Sequence, residues 1–254
     1  MKIRHSLNVA NILLVMQMKR YVRSAPRMFG TLGQPLLFFV ALGFGFGPVF
    51  QRAGEGKYLE FLAPGVVGMT ILFAGVFAGS ELIMDRQFGF LKETMVAPVP
   101  RLTIMVGRTL GGTVLATTQG ALVMLACLLT GFRPVRWAHL PQALVFMVSI
   151  ALMFTALGTV GALLVKDFQG FQVIINLLVM PMFLLSGALY PLTDIPGVLQ
   201  VIAKANPLAY GVDGLRSILV ARTHFGQLAD LIVIGVITVA LLLLGRYQFN
   251  KIQI

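Results

Sequence analysis

Residues 82–101 read LIMDRQFGFLKETMVAPVPR, and this stretch decides what kind of protein the chain is. It supports a helical core from Asp85 to about Ala97, ended by Pro98 and Pro100, because neither proline can continue a helix. Phe88, Leu91 and Met95 fall on one apolar stripe, with Arg86, Lys92 and Glu93 on the other faces. Such a segment has two readings. It can dock its stripe into a partner's groove while its charges fix the orientation, or it can lie as a connector on water or lipid. Its flanks bear on the choice: Phe61–Ser80 precedes it and Thr109–Phe132 follows it, and both are free of Asp, Glu, Lys and Arg.

Those flanks are typical of the chain. It is 57% hydrophobic and 11% charged, with a mean hydropathy of +0.88 over 254 residues. A soluble domain of that length needs a polar shell, so the composition is that of a membrane protein. A helix needs about 20 apolar residues to cross the hydrocarbon. Uncharged windows of that order run over Met28–Gln51, Phe61–Ser80, Thr109–Phe132, Trp137–Val165 and Phe168–Thr193. A sixth, Leu231–Gly245, reaches sufficient length if extended back to Thr223, with Asp230 near one end where its side chain can reach the interface. The expectation is therefore an all-α polytopic fold with six transmembrane helices. The first apolar run starts only near Met28 and is not followed by a small-residue cleavage site, so it is expected to be retained. Six spans put both termini on one side. That side carries thirteen Lys and Arg against seven on the other, which places both ends, and residues 82–101, in the cytoplasm. The net charge of +11 follows from this topology rather than from a nucleic-acid face, since the basic residues flank apolar runs.

Two segments do not read as spans. Within residues 1–27, Ile3, Leu7, Ala10, Leu14, Met18 and Tyr21 recur every three or four positions among basic residues, the pattern of an amphipathic helix on an anionic leaflet. Residues 181–220 are too rich in proline and charge for one span and too apolar for a free loop. They read as a re-entrant external segment, about 186–222, with two short helices. The first carries Ile195, Val198, Leu199 and Ile202 on one face, the chain breaks at Asn206 and Pro207, and the second runs from about Leu208 to Leu219. Asp213 and Arg216, three apart, are expected to pair on its surface.

The sequence also limits the chemistry. GEGKY at Gly54–Tyr58 lacks the spacing and hydroxyl of a phosphate loop, so the chain is not expected to bind ATP by itself. The spans are nearly free of the carboxylates and histidines that ion-coupled transporters hold at mid-membrane. His5, His139 and His224 are scattered, and Cys127 stands alone inside an apolar run; no catalytic residue, bound cofactor or metal site is expected. An intramembrane hydrolase built on Ser186 and His224 is the enzymatic rival. Three GxxxG pairs, Gly43/Gly47, Gly75/Gly79 and Gly107/Gly111, suit close helix packing, as internal contacts or as a dimer seam.

The quoted stretch resembles the region after the second span in the permease subunits of ABC-2 type exporters. The series is Asp85, Arg86, Gly89, Glu93, Met95 and Val96, then Ala97, Pro98, Val99 and Pro100. FLAPGVVGMTIL at Phe61–Leu72 and LSGALYPLTDIP…NPLAYGVDGLR from Leu185 to Arg216 are similar to the same family, which covers nearly the whole chain. The Phe88 and Phe90 pair around Gly89 departs from it, since small or polar residues are commoner there. The resemblance implies one transmembrane domain over residues 1–254, with a cytoplasmic coupling helix at 85–98 resting in a cleft of a separate ATPase. Asp85, Arg86, Phe88, Gly89, Phe90, Leu91, Lys92, Glu93, Met95 and Pro98 would form that contact. It further implies two ATPase copies carrying ATP and Mg, a second permease copy, a prokaryotic cytoplasmic membrane, and export of an amphipathic drug, lipid or lipid-linked glycan. The first, second and fifth spans would line the path, making Gln34, Phe38, Phe39, Met69, Phe73, Phe77, Phe171, Asn176 and Phe183 its candidates, although core or lipid-facing packing is the commoner role of such aromatics. A passive channel or membrane scaffold is the non-enzymatic rival.

Overall fold

The computed structural model describes residues 19, 25–52, 57–88, 101–165, 167–192 and 195–250; the expected helix over residues 1–27 lies largely outside them. Its elements are helical, with no strand among the described residues: α1 (Ala25–Arg52), α2 (Tyr58–Ala78), α3 (Ser80–Gln87), α4 (Arg101–Leu129), a 3-10 turn (Trp137–His139), α5 (Leu140–Leu164), α6 (Phe168–Leu184), α7 (Gly197–Ala205), α8 (Pro207–Val220) and α9 (Gln227–Asn250). Five stretches are long and apolar enough to cross a membrane: Leu32–Arg52, Tyr58–Gln87, Thr103–Leu129, Trp137–Leu164 and Gln227–Phe249.

The window Phe168–Thr193 behaves differently from its expectation. Its helix stops at Leu184 after 17 residues, which at the helical rise is about 26 Å, short of the hydrocarbon thickness. The chain turns there because the Ser186 hydroxyl donates to Phe183 O at 2.7 Å and accepts from Ala188 N, while Gly187 takes a left-handed φ of +73°. Two short helices, α7 and α8, stand in the proline-rich segment that follows. Asn206 separates them: its Oδ1 accepts from Leu208 N at 3.0 Å, and its Nδ2 donates to Met182 O at 2.6 Å. Pro207 occupies the first helical position, where its missing N–H costs nothing.

The core is built around α2, which packs against α1, α4, α5 and α8. Small residues let the backbones meet. A Cβ on Gly65 would strike Ala188 O, one on Gly79 would strike Gly158 O, and one on Gly158 would strike Val76 O. Gly75 and Gly79 thus serve an internal crossing of α2 with α5. Gly43 faces the Leu59 side chain, whereas nothing lies within 4 Å of the position a Cβ on Gly47 would take. Hydroxyls inside the bundle turn back on their own helices: Thr70 donates to Val66 O, Thr113 to Thr109 O, Thr159 to Thr155 O and Thr238 to Ile234 O. This satisfies a polar group where no water is at hand. Away from the core, α1 exposes Leu37, Phe44 and Val49, and α6 exposes Val173, Leu177 and Met180.

Candidate functional site

The bundle has two ends with different chemistry. At one, α3 continues α2 past Gly79, and its last turn carries Asp85 and Arg86. Asp85 and Arg86 therefore close the preceding helix instead of opening a new one: the helix ends at Gln87, and Phe88 N bonds to Met84 O at 2.9 Å. Asp85 is buried, and its Oδ2 meets Nη1 of Arg108, on α4, at 2.7 Å. Arg86 Nη1 donates to Val165 O, just beyond α5, at 3.2 Å. Phe88 is exposed. Gly89, Phe90, Leu91, Lys92, Glu93, Met95 and Pro98 lie outside the described residues. What is described of the segment is its two roots, and these are locked to each other and to α5.

The candidate path residues divide by burial. Phe39, Met69, Phe171 and Phe183 belong to the core; Phe38, Phe73 and Phe77 are half-buried; Gln34 and Asn176 are exposed. Phe38 meets Phe183 edge-on with centroids 6.3 Å apart, which joins α1 to α6, and Phe73 stacks on Phe77 at 6.4 Å. On α6 the buried stripe is Phe171, Ile175, Val179 and Phe183, one residue per turn, so Gln172 and Asn176 sit among open apolar side chains. A separate groove of about 340 Å³ lies where α5, α8 and α9 meet, lined by Gln142, Val145, Phe146, Ile218, Gln227, Leu228 and Leu231.

At the opposite end, Asp213 and Arg216 do not form the surface pair that their spacing suggested. Both are buried, and each has other partners. The Asp213 carboxylate accepts from Thr223 Oγ1 at 3.0 Å, His224 N at 2.8 Å and Phe225 N at 2.8 Å, tying down the turn that leads into α9. Arg216 lies over the Phe61 ring, 3.9 Å from its centroid, and its Nη2 donates to Gly187 O at 2.9 Å. Burial lowers the Arg216 pKa to about 10, with Asp213 opposing that shift, so the guanidinium stays cationic at neutral pH. Phe50, Tyr58 and Phe61 cluster beside it, and Tyr58 Oη donates to Leu189 O at 2.9 Å. These anchors to the α2 start were missed in the sequence; the one available signal was a charged pair inside an otherwise apolar helix. Asp230 also departs from expectation, being fully buried instead of reaching an interface. Ser186 is a buried turn-capping residue, and the His224 ring lies edge-on against Phe225; among the described residues no hydrogen bond joins the two.

A family model described as ABC-2 type transporter matches residues 9–220. The chain is 31% identical over 210 residues to a putative transport permease, ycf38, of Cyanophora paradoxa, covering 80% of this chain and 70% of that one. It is 29% identical over 215 residues to Nodulation protein J of Rhizobium leguminosarum bv. trifolii, covering 82% and 81%. To the inner membrane transport permease YadH of Escherichia coli it is 25% identical over 187 residues, covering 71% and 70%.

Proposed function

We propose, from the premise that this chain belongs to the ABC-2 type transporter family, that it is the permease subunit of an ATP-driven exporter. Permeases of this family normally work with an ABC ATPase. In this reading two ATPase copies hold ATP and Mg, and two copies of this chain enclose the path. Closure of the ATPases pushes on the segment between α3 and α4 and rocks the spans between inward-open and outward-open states. That segment lies in the cytoplasm with both termini, α6 together with the uncharged chain that follows it completes a sixth span, and α7 with α8 dips in from outside. The cargo is an amphipathic drug, lipid or lipid-linked glycan, and the membrane is a prokaryotic inner one, as the name of the E. coli relative suggests. Gln34, Asn176 and the half-buried Phe38, Phe73 and Phe77 are the residues placed to meet such a cargo, on or beside the open faces of α1 and α6.

The observation that carries this reading is that the roots of the 88–100 connection are locked: Asp85 to Arg108 at 2.7 Å, Arg86 to Val165 O at 3.2 Å. A connector with no mechanical task has no need of a buried ion pair, which an apolar contact of similar size would match in stability. Tagged chain expressed at native level is expected to bring down an ATPase, and Glu93→Arg is expected to lose it. A passive channel or scaffold brings down none, and recovery of no ATPase overturns the proposal.

A further inference from the structure

The Asp85–Arg108 ion pair at the α3 end joins positions 23 residues apart, one on each side of the connection, and its side chains are only 11% and 12% exposed for Asp85 and Arg108. The chain has nine acidic residues in all, so placing one here against an arginine is a selective use of charge. Desolvating the pair cancels much of its Coulomb gain, and what it offers over an apolar contact is a fixed register between the groups it joins. The surrounding contacts work to the same end. Arg86 reaches from the same turn to the end of α5, and about two turns of helix further back Gly79 lies backbone-to-backbone against Gly158 of α5. The last turn of α3, the early turns of α4 and the end of α5 are thus bound to one another near the two points where the connection leaves and re-enters the bundle.

We infer that Asp85 and Arg108 are positioning residues: their ion pair clasps the roots of the connection, so that a push on residues 88–100 displaces α2–α3 and α4 together instead of prying them apart. The inference rests on the proposed function for the origin of the push, while the clasp itself is a property of the chain alone. Without the clasp, displacement of the connection is absorbed by separation of the two roots, and the core around α2 moves less for the same motor stroke. The pair touches neither cargo nor nucleotide in this account and acts only through the helices it joins.

The test uses spin labels on Met84→Cys and Val106→Cys, two exposed positions beside the pair, with Cys127, which is buried, replaced by Ala. Labelled protein is diluted with unlabelled protein in nanodiscs, and the Met84–Val106 distance distribution is read by pulsed electron resonance. In the chain alone, Asp85→Asn is expected to broaden that distribution about twofold. The swap Asp85→Arg with Arg108→Asp is expected to narrow it again, which a loss of packing would not allow. A width unchanged in Asp85→Asn overturns the clasp, whether or not an ATPase binds. In the complex with the copurified ATPase, trapping with ATP and vanadate is expected to leave the wild-type distance where it was and to lengthen it in Asp85→Asn. A wild-type distance that shifts on trapping shows that the roots move separately and also overturns the inference. Failure to recover an ATPase counts against the proposed function, and the measurement on the chain alone still decides the clasp.

Discussion

Two aspartates near the turn into α9 show how residue identity alone misleads. Asp213 is met by three donors, two of them backbone N–H groups and one the Thr223 hydroxyl, and so holds the loop onto α8. Asp230, in the first turn of α9, is fully buried, and neither carboxylate oxygen has a hydrogen-bond partner among the described residues. Hydrogen bonds to a charged acceptor contribute about 1.5–3 kcal/mol each, whereas a buried charge without donors is a cost. The same substitution should therefore act in opposite directions. Asp213→Asn is expected to lower the Tm of detergent-purified protein by several degrees, with a loss of ~2 kcal/mol. Asp230→Asn is expected to leave Tm unchanged or raise it. Thermal unfolding followed by size-exclusion recovery checks both, and equal losses for the two variants would contradict the assignment of partners.

Among elements, the crossing of α2 with α5 is a close contact that glycines define against backbone atoms. A side chain on Gly79 or Gly158 meets backbone rather than a movable side-chain tip, so the helices have to separate to admit it. Gly79→Val or Gly158→Val is expected to cost ~3 kcal/mol or more, seen as loss of monodisperse protein. Gly47→Ala, which meets nothing within 4 Å, is expected to be tolerated, and removing a helix-interior glycine is itself mildly favourable. Sequence reading found the helices wherever apolar length decides them, and it found the chain break at Asn206–Pro207, because the capping amide and the proline are local signals. It placed the end of α6 only loosely, between the expected start of the re-entrant segment at about 186 and the end of the uncharged window at Thr193, whereas the helix stops at Leu184. Residues Phe168–Thr193 stay uncharged through Ser186 and Gly187, and only a left-handed φ reveals the turn. Nor did it extend the second helix to Gln87: Asp85 and Arg86 read as the opening of a separate helix beyond the span. Asp85 and Arg86 are instead accommodated by Arg108 and Val165 O, which come from remote parts of the chain. Of the expected contact set at 85–98, only the part through Phe88 falls within the described residues.

For the molecule as a whole, orientation is the premise on which coupling to a cytoplasmic motor depends, and it rests on the distribution of positive charge. Thirteen Lys and Arg lie on the side assigned to both termini and seven on the other, a bias of the kind that sets the direction of insertion. The helices alternate through the bundle in a way that makes the assignment testable at two points. Phe88 follows α3 at one end and is exposed; Arg136 lies between α4 and α5 at the other and is also exposed. Cys127 is fully buried, so the native thiol should contribute little background to a labelling experiment. In intact cells a membrane-impermeant maleimide is expected to modify Arg136→Cys and to leave Phe88→Cys unmodified until the membrane is permeabilised. The reverse pattern would put the connection between α3 and α4 outside the cell, beyond the reach of any cytoplasmic ATPase. It would remove the basis for an energy-coupling role there while leaving the helix packing and the family membership intact.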